Sequence, residues 1–176
     1  MKNLNELLTS LPEYAKDAKI NLQSILNKEN NILEIKKIYL IALACAYNIG
    51  DQNLINAFDN EFKEVVNEKE IRAAKVAASI MAMNTIYYRF VHLVDNGDEY
   101  LKIPAGLRMQ GIVNHGIDKV TFEAMSLAIA ALEGCGMCIS AHEKQLEKSG
   151  LTKHQIQMVI KIAAVISAVG QSLNIK

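Results

Sequence analysis

The 176-residue sequence has no tryptophan, only two prolines and nine glycines, and no net charge, since 19 basic side chains balance 19 acidic ones. A neutral chain does not attract polyanions over long range, which argues against a nucleic-acid partner bound through its phosphates. Proline and glycine break helices, whereas alanine, leucine, isoleucine, lysine and glutamate, which dominate here, favour helices over sheets. We therefore expect an all-α protein.

Long apolar segments are also absent. The longest runs, Ile38 to Tyr47, Met125 to Leu132 and Ile162 to Gly170, fall short of the roughly 20 residues that span a bilayer and predict buried core helices. The N-terminus lacks the apolar stretch that a secretory signal requires. We therefore expect a cytoplasmic protein with no membrane partner. Because hydrophobic residues make up 51% of the chain, it can fold and still leave apolar surface for an oligomer interface.

Apolar residues recur at helical spacing along most of the chain. The predicted helices cover residues 4–11, 12–26, 32–47, 54–66, 69–94, 119–133, 135–149 and 152–173. Segment 69–94 is long for one plain helix, so we expect an interruption near Asn84, and Thr152 is the expected N-cap of the last helix. The Asn-rich segment 27–31 ends the second helix, and the loop through Pro104 and Gly116 is expected to be the most flexible part of the chain.

Two pairs of segments resemble each other at a separation of 86 residues. Residues 75–80 resemble residues 161–166, and residues 41–44 resemble residues 127–130. An internal duplication explains both pairs at once. Chance similarity between alanine-rich helices is the alternative.

The duplication predicts one helical domain, residues 1–176, with two similar halves at about 31–94 and 117–174. The halves are expected to pack around a pseudo-twofold axis. Only the second half has side chains suited to thiol chemistry, namely Glu123, Cys135, Cys138 and His142, where the first half has Lys37, Ile49, Gln52 and Asn56.

The segment Glu133 to His142 contains the sequence Cys-Gly-Met-Cys. Two cysteines three apart at the start of a helix lie on one face and can close a disulfide, and His142 lies one turn beyond Cys138 on that face. The helix dipole stabilises a thiolate in the first turn, which lowers the thiol pKa and makes the sulfur nucleophilic near neutral pH. Glu123 can face the same pocket from the preceding helix and orient or protonate His142. Together these four side chains form a possible proton relay.

Other uses of a Cys-x-x-Cys pair fit less well. A zinc site could use the pair with His142, but a closed site needs a fourth ligand, and the sequence has no second Cys-x-x-Cys and no His-x-x-x-His. Covalent haem attachment requires a histidine directly after the second cysteine, where Ile139 stands. A thioredoxin fold would place the pair after a buried strand, whereas residues 122–132 have helical spacing. We therefore expect no metal at this pair.

The remaining cysteine and histidines have ordinary explanations. Cys45 lies in an apolar run and is expected to be a core thiol. His92, His115 and His154 are expected to be surface or capping residues. Three cysteines, an odd number, do not indicate a fold held together by several disulfides. The Cys135–Cys138 pair is therefore the candidate for redox chemistry.

Residues from Met81 to Leu173 closely resemble the AhpD family of alkyl hydroperoxidases, a branch of the carboxymuconolactone decarboxylase-like superfamily. The resemblance is carried by Met83 to Phe90, Leu107 to Met109, Glu123, Glu133 to Cys138, Ala141 to Glu143 and Ala163 to Ser167. It implies an all-helical fold of two similar halves and a homo-oligomer, commonly a trimer. It also implies antioxidant defence beside a peroxiredoxin of the alkyl hydroperoxide reductase type.

The resemblance also implies roles for the four side chains. Cys138 resembles the cysteine that becomes a sulfenic acid, Cys135 resembles the cysteine that closes the disulfide with it, and Glu123 with His142 resembles the relay that deprotonates Cys138. No bound cofactor is implied, and turnover would need an external dithiol such as a lipoylated protein. Some members have a histidine between the two cysteines where this chain has Met137, so assistance from that imidazole is absent.

The expected function is a thiol peroxidase and disulfide reductase that reduces alkyl hydroperoxides, regenerates a partner peroxiredoxin, or does both. A cofactor-free decarboxylase of the wider superfamily is one alternative, but that chemistry has no use for a cysteine pair. A non-enzymatic zinc or adaptor module is the other, and metal analysis of protein purified without added zinc would distinguish it.

Overall fold

The computed structural model describes residues 3–27, 29 and 32–175, which form an all-α fold, as the composition predicts. The helices are α1 (Leu4–Ser10), α2 (Lys16–Ile25), α3 (Ile35–Ile49), α4 (Gln52–Phe62), α5 (Glu68–Leu93), α6 (Gly97–Leu101), α7 (Lys119–Leu132), α8 (Gly136–Lys148) and α9 (Lys153–Asn174). Two 3₁₀ turns, Glu13–Ala15 and Gln110–Ile112, lie before α2 and in the loop before α7. Lys28, Asn30 and Asn31 of the Asn-rich segment, and Met1, Lys2 and Lys176 of the predicted domain, lie outside the described residues.

Polar side chains fix the starts of most of these helices. The residues whose side chains accept a hydrogen bond from a first-turn backbone N–H are Asn3, Asp51, Asn67, Asp118 and Thr152, at α1, α4, α5, α7 and α9. Such caps satisfy backbone donors that have no partner within the helix. The prediction that Thr152 caps the last helix is confirmed.

Helix α5 is continuous from Glu68 to Leu93, so the predicted interruption near Asn84 is wrong. No glycine or proline lies within the helix. The buried Thr85 hydroxyl donates to the carbonyl oxygen of Met81 at 2.7 Å, inside the same helix. The packing of α5 against α3 and α7 supports its full length, and length alone was a poor reason to divide it.

Helices α3 and α7 lie at the centre of the molecule. Every residue from 38 to 46 of α3 is buried, and nearly every residue from 121 to 130 of α7 is buried. The two helices pack against each other, and α5 and α9 pack against both of them. Since α8 packs on α7 and α5, the thiol segment rests on the central helices of the core.

The order of helices repeats along the chain. Helices α3, α4 and α5 start at Ile35, Gln52 and Glu68, and α7, α8 and α9 start at Lys119, Gly136 and Lys153, which is 84, 84 and 85 positions later. These offsets are close to the separation of 86 in the sequence repeat. A common origin of the two halves stays a prediction.

Helix α9 is long and apolar enough, by length and composition, to cross a membrane, so the estimate from apolar runs alone missed this candidate. In the structure α9 packs against α2, α3 and α7 and buries one side, including Ile162, Ile166 and Val169. The core helix of a folded protein can be as long and as apolar as a membrane span, and the contacts of α9 are those of a core helix.

Candidate active site

The two cysteines lie at the junction between α7 and α8. Gly134 turns the chain in the left-handed conformation, with φ +67°, a value that a residue with a Cβ adopts only at a cost. Cys135 is the N-cap of α8, and its sulfur accepts a hydrogen bond from the Cys138 backbone N–H at 3.3 Å. A disulfide joins the two residues, whose Cα atoms are 5.3 Å apart. The junction therefore holds both sulfurs at the positive end of α8.

Glu123 and His142 form a pair beside the cysteines. Glu123 lies on α7 and His142 on α8, and the distance from Glu123 Oε2 to His142 Nδ1 is 2.7 Å. Both side chains are largely buried. A carboxylate on Nδ1 orients the imidazole and leaves Nε2 as the nitrogen available to another partner. The structure thus brings together all four residues that the sequence singles out.

A cavity of about 260 Å³ opens beside Cys138. Its lining residues come from α5, the loop before α7, and α8, and they are Met81, Asn84, Tyr88, Met109, Ile112, Met137, Cys138, Ala141 and His142. The walls are mostly apolar. Cys138 and His142 line the cavity, whereas Cys135, which is 0% exposed, and Glu123 do not. One sulfur of the pair is therefore accessible to a small molecule.

Gly111 determines how the loop closes the cavity. A Cβ at residue 111 would lie 2.4 Å from Cδ1 of Ile80 and 2.8 Å from Cγ1 of Val76, so a larger residue would require these side chains of α5 to shift. The approach places Met109 and Ile112 in the cavity wall. No sequence periodicity connects this loop to α8, so these two wall residues were not predicted.

Asn84 is a second site residue that sequence reasoning did not assign. It lies on α5 in the cavity wall and is 5% exposed, and its Oδ1 has no hydrogen-bond partner within the described part of the chain. The only sequence signal was its place in the segment Met83 to Phe90, which carries the family resemblance.

Polar contacts also hold the residue before the turn. Arg89 of α5 donates a hydrogen bond from Nη1 to the carbonyl oxygen of Glu133, and Asn48 Nδ2 of α3 donates to Glu133 Oε1 at 3.0 Å. These contacts tie the end of α7 to α5 and α3. Because Glu133 directly precedes Gly134, they fix the position at which the chain enters the cysteine segment.

The other histidines are placed largely as expected. His154 is exposed, and His115 stacks on Phe122 with ring centroids 4.2 Å apart and accepts a hydrogen bond from the Ile117 N–H. His92 is exposed, but its ring lies against the start of α8, with Nε2 3.7 Å from the position of a Cβ at Gly136. An imidazole thus lies near the cysteine segment although the residue between the cysteines is Met137.

Cys45 lies apart from this chemistry. It is 0% exposed in the middle of α3, and burial raises the pKa of its thiol. A neutral, enclosed thiol is a poor nucleophile. Among the described residues, no group of three or more histidine, cysteine, aspartate or glutamate side chains could hold a metal ion.

Known proteins that resemble this chain share one name, and a family model also matches part of the chain. A sequence model of the Carboxymuconolactone decarboxylase family matches residues 98–175. Proteins called alkyl hydroperoxide reductase AhpD are similar over nearly the whole chain, including those of Coxiella burnetii (49% identity over 162 residues, 92% of this chain and 91% of the relative), Maricaulis maris (43% over 171 residues, 97% of each) and Azorhizobium caulinodans (43% over 172 residues, 98% and 93%).

Proposed function

Since the chain belongs to the AhpD family of alkyl hydroperoxide reductases, in which it is an antioxidant oxidoreductase, we propose that it reduces hydroperoxides at the Cys135–Cys138 pair with Cys138 as the attacking thiol. The observation that carries this assignment is that Cys138 alone of the three cysteines lines the apolar cavity. Cys135 is enclosed one turn away and can reach only Cys138. Cys135 is therefore the resolving thiol.

Glu123 and His142 act as the base for Cys138. His142 lines the same cavity as Cys138, and its Nδ1 is occupied by Glu123 at 2.7 Å, so Nε2 is free to take a proton. The proton moves from the Cys138 thiol to the imidazole, and the carboxylate stabilises the imidazolium that forms. Removal of the proton makes the sulfur a nucleophile.

The reaction balances with one hydroperoxide and one external dithiol. The Cys138 thiolate attacks the terminal oxygen of ROOH, the O–O bond breaks, and the alkoxide leaves and takes a proton to become ROH. Cys135 thiolate then attacks the Cys138 sulfenic acid, which forms the disulfide and releases water after protonation. A dithiol restores both thiols and becomes a disulfide itself.

The disulfide is best opened at Cys138. An incoming thiolate can reach this sulfur through the cavity, and Cys135 then leaves as a thiolate at the N-cap of α8. The Cys138 N–H and the helix dipole stabilise that leaving group, which lowers the barrier to exchange. A lipoylated protein is the proposed reductant, and an alkyl hydroperoxide reductase peroxiredoxin is the proposed partner.

An exposed apolar surface supports a homo-oligomer, and we propose a trimer. The apolar patch consists of Ile86, Phe90 and Leu93 on α5 and Tyr100 on α6, whose ring contacts that of Phe90 with centroids 5.0 Å apart. The spacing of the three α5 residues places them on one helix face. Surfaces of this kind mark interfaces between proteins. We further propose that the enzyme works in the cytoplasm, where thiols are kept reduced.

A thiol count and a turnover assay together test the proposal. One equivalent of cumene hydroperoxide should remove two of the three thiols of the reduced chain, and peptide mapping should show a Cys135–Cys138 link. Cys138→Ser should abolish turnover with dihydrolipoamide, whereas Cys45→Ala, the matched control, should retain it. Full activity of Cys138→Ser, or Cys45 in the disulfide, would contradict the assignment.

A further inference from the structure

Asn84 is a buried polar side chain with no visible structural purpose. It is 5% exposed, and its Oδ1 is enclosed without a hydrogen-bond partner among the described residues. Burying an amide without a partner destabilises a fold, and native proteins rarely tolerate it. The next residue, Thr85, is equally buried but satisfies its hydroxyl on the Met81 carbonyl. Asn84 is therefore the exception on this helix, and a molecule in the adjoining cavity can supply the partner that its Oδ1 lacks.

The position of Asn84 indicates where that partner lies. Asn84 lines the same cavity as Cys138 and His142, on the wall formed by α5, while the two reactive residues come from α8. The other walls are apolar and include Met81, Met109 and Ile112. A molecule held between Asn84 and Cys138 therefore meets the Asn84 amide, the Cys138 sulfur and the His142 imidazole, with Tyr88 beside them, in a mostly apolar space.

We infer that the Asn84 amide binds the hydroperoxide group of the substrate and aligns it for attack by Cys138, an inference that rests on the proposed function. A hydroperoxide has one O–H donor and two acceptor oxygens. A carboxamide offers one acceptor and two donor hydrogens, and a half-turn about its last bond exchanges them. One Asn84 side chain can thus accept from the terminal O–H and donate to the oxygen that carries the organic group.

This arrangement assists the bond-breaking step. When the Cys138 thiolate bonds to the terminal oxygen, the O–O electron pair moves to the oxygen of the organic group, which becomes an alkoxide and then takes a proton from the His142 imidazolium or from water. A donor already aimed at that oxygen stabilises the developing charge. The apolar wall receives the organic group. Asn84 therefore contributes both to the alignment of the substrate and to the departure of the alcohol.

The inference separates the two halves of the catalytic cycle. A disulfide, or a dithiol such as 1,4-butanedithiol, has no O–H group and no oxygen acceptor, so Asn84 has nothing to recognise in the step that reduces the Cys135–Cys138 disulfide. Removal of the amide should slow oxidation by hydroperoxides and leave reduction by 1,4-butanedithiol unaffected. A purely structural residue would affect both steps together.

The experiment uses Asn84→Leu, which preserves volume, and Asn84→Ala, which introduces no bulk. Both should lower kcat/KM for cumene hydroperoxide about 10- to 100-fold, in line with loss of one oriented hydrogen-bonding group. Stopped-flow reduction of the disulfide by 1,4-butanedithiol should stay within about twofold of wild type, and the melting temperature of Asn84→Leu should stay the same or rise, because an unpaired buried amide oxygen is removed. Thr85→Val, which deletes the neighbouring buried polar group outside the cavity, should leave both half-reactions unchanged.

Three results would overturn the inference. Unchanged hydroperoxide kinetics in both Asn84 variants, with wild type active and Cys138→Ser inactive, would remove the role of Asn84 and leave the proposed function in place. Equal slowing of both half-reactions with a lowered melting temperature would make Asn84 a structural residue. Full activity of Cys138→Ser would remove the proposed function itself, and the role of Asn84 with it.

Discussion

Cys135 occupies a position that α1, α4, α5, α7 and α9 fill with asparagine, aspartate or threonine. At an N-cap, a side chain must accept a hydrogen bond from the first turn, and the sulfur does so from the Cys138 N–H. The same contact favours the thiolate over the thiol, because negative charge is stabilised at this end of a helix. One residue thus serves both as a helix cap and as a good leaving group.

Replacement of Cys135 and replacement of Cys138 should give different products on oxidation by peroxide. In Cys135→Ser the serine still caps α8, and Cys138 should reach a sulfenic acid that a dimedone-type reagent traps, because no resolving thiol remains. Cys138→Ser should give no such adduct after the same peroxide treatment. Mass spectrometry of the labelled proteins measures both outcomes. A dimedone adduct on Cys135 in the Cys138→Ser protein would reverse the assigned roles.

The contact between Glu123 Oε2 and His142 Nδ1 at 2.7 Å predicts that the two residues act as one unit. His142→Phe and Glu123→Gln should each lower kcat by about 10²- to 10⁴-fold, and the double variant should lose little more than either alone. Circular dichroism should show that each variant is folded. Glu143 follows His142 on α8, and its carboxylate pairs with Lys153 of α9. Glu143→Gln is therefore the matched control and should keep wild-type kinetics.

Losses that multiply in the double variant would show that Glu123 and His142 act independently. Raised pH gives a second check, because it should partly restore His142→Phe as the thiolate fraction of Cys138 grows. A rate that does not rise with pH in this variant would mean that His142 supports the site without acting as its base.

At the scale of the element, several hydrogen bonds hold the N-cap residue of α7, Asp118, in place. Burial alone would raise the pKa of the Asp118 carboxyl. Hydrogen bonds from the Thr121 hydroxyl and from the N–H groups of Thr121 and Val120 lower this pKa, and so does the nearby charge of Lys37. Together these effects outweigh burial, so the pKa of Asp118 is lowered. The folded protein therefore holds the charged form of this carboxyl more strongly than the unfolded chain does. Since α7 carries Glu123, the cap also supports the relay.

Asp118→Ala should lower the free energy of unfolding by about 0.5 to 2 kcal/mol at pH 7, the usual effect of losing an N-cap. A lowered pKa gives stabilisation that is complete above the unfolded pKa of about 3.9 and is lost as the pH falls through the folded pKa. The difference between wild type and variant should therefore shrink between about pH 5 and pH 3. Urea titrations at several pH values measure it.

Glu34→Ala is the matched control for this prediction. Glu34 is the N-cap residue of α3, but its side chain makes no capping hydrogen bond, so its replacement should change stability much less. A difference between wild type and Asp118→Ala that stays constant down to pH 3 would show that the carboxylate charge plays no part in the cap.

The helices themselves were predictable because local signals act within a few residues. Thr152 was recognised as a cap since its partner, Gln155, lies three positions later. The continuity of α5 was not recognised, because α3 and α7, which support it, are far away in the sequence. Contacts between segments that are distant in the sequence also determine which parts of the site could be predicted. The Glu123–His142 pair could be inferred from helix geometry, but the cavity walls from α5 and the loop depend on tertiary contacts that no local spacing encodes.

At the scale of the whole molecule, the cavity and the exposed apolar surface share their elements. Helix α5 carries Asn84 and Tyr88 on the cavity side and Ile86 and Phe90 on the exposed side. The loop before α7 likewise carries Met109 and Ile112 in the wall, and its exposed apolar residues include Ile103, Leu107 and Val113. If copies of the chain cover this surface, assembly also holds the walls of the cavity in place.

The apolar patch therefore predicts that the chain assembles and that its full activity depends on this assembly. Light scattering should give three times the mass of one chain at micromolar concentration, and Ile86→Asp combined with Leu93→Asp should shift the protein to smaller species, because two charges would have to be buried in the interface. The same double variant should lower kcat/KM for cumene hydroperoxide, since α5 loses its support on the exposed side. Ile20→Asp, which changes a comparably exposed isoleucine on α2 outside the patch, should alter neither mass nor activity. A wild-type protein that is a stable monomer would contradict the assembly, and a dissociated variant with undiminished kcat/KM would show that each chain completes its own cavity.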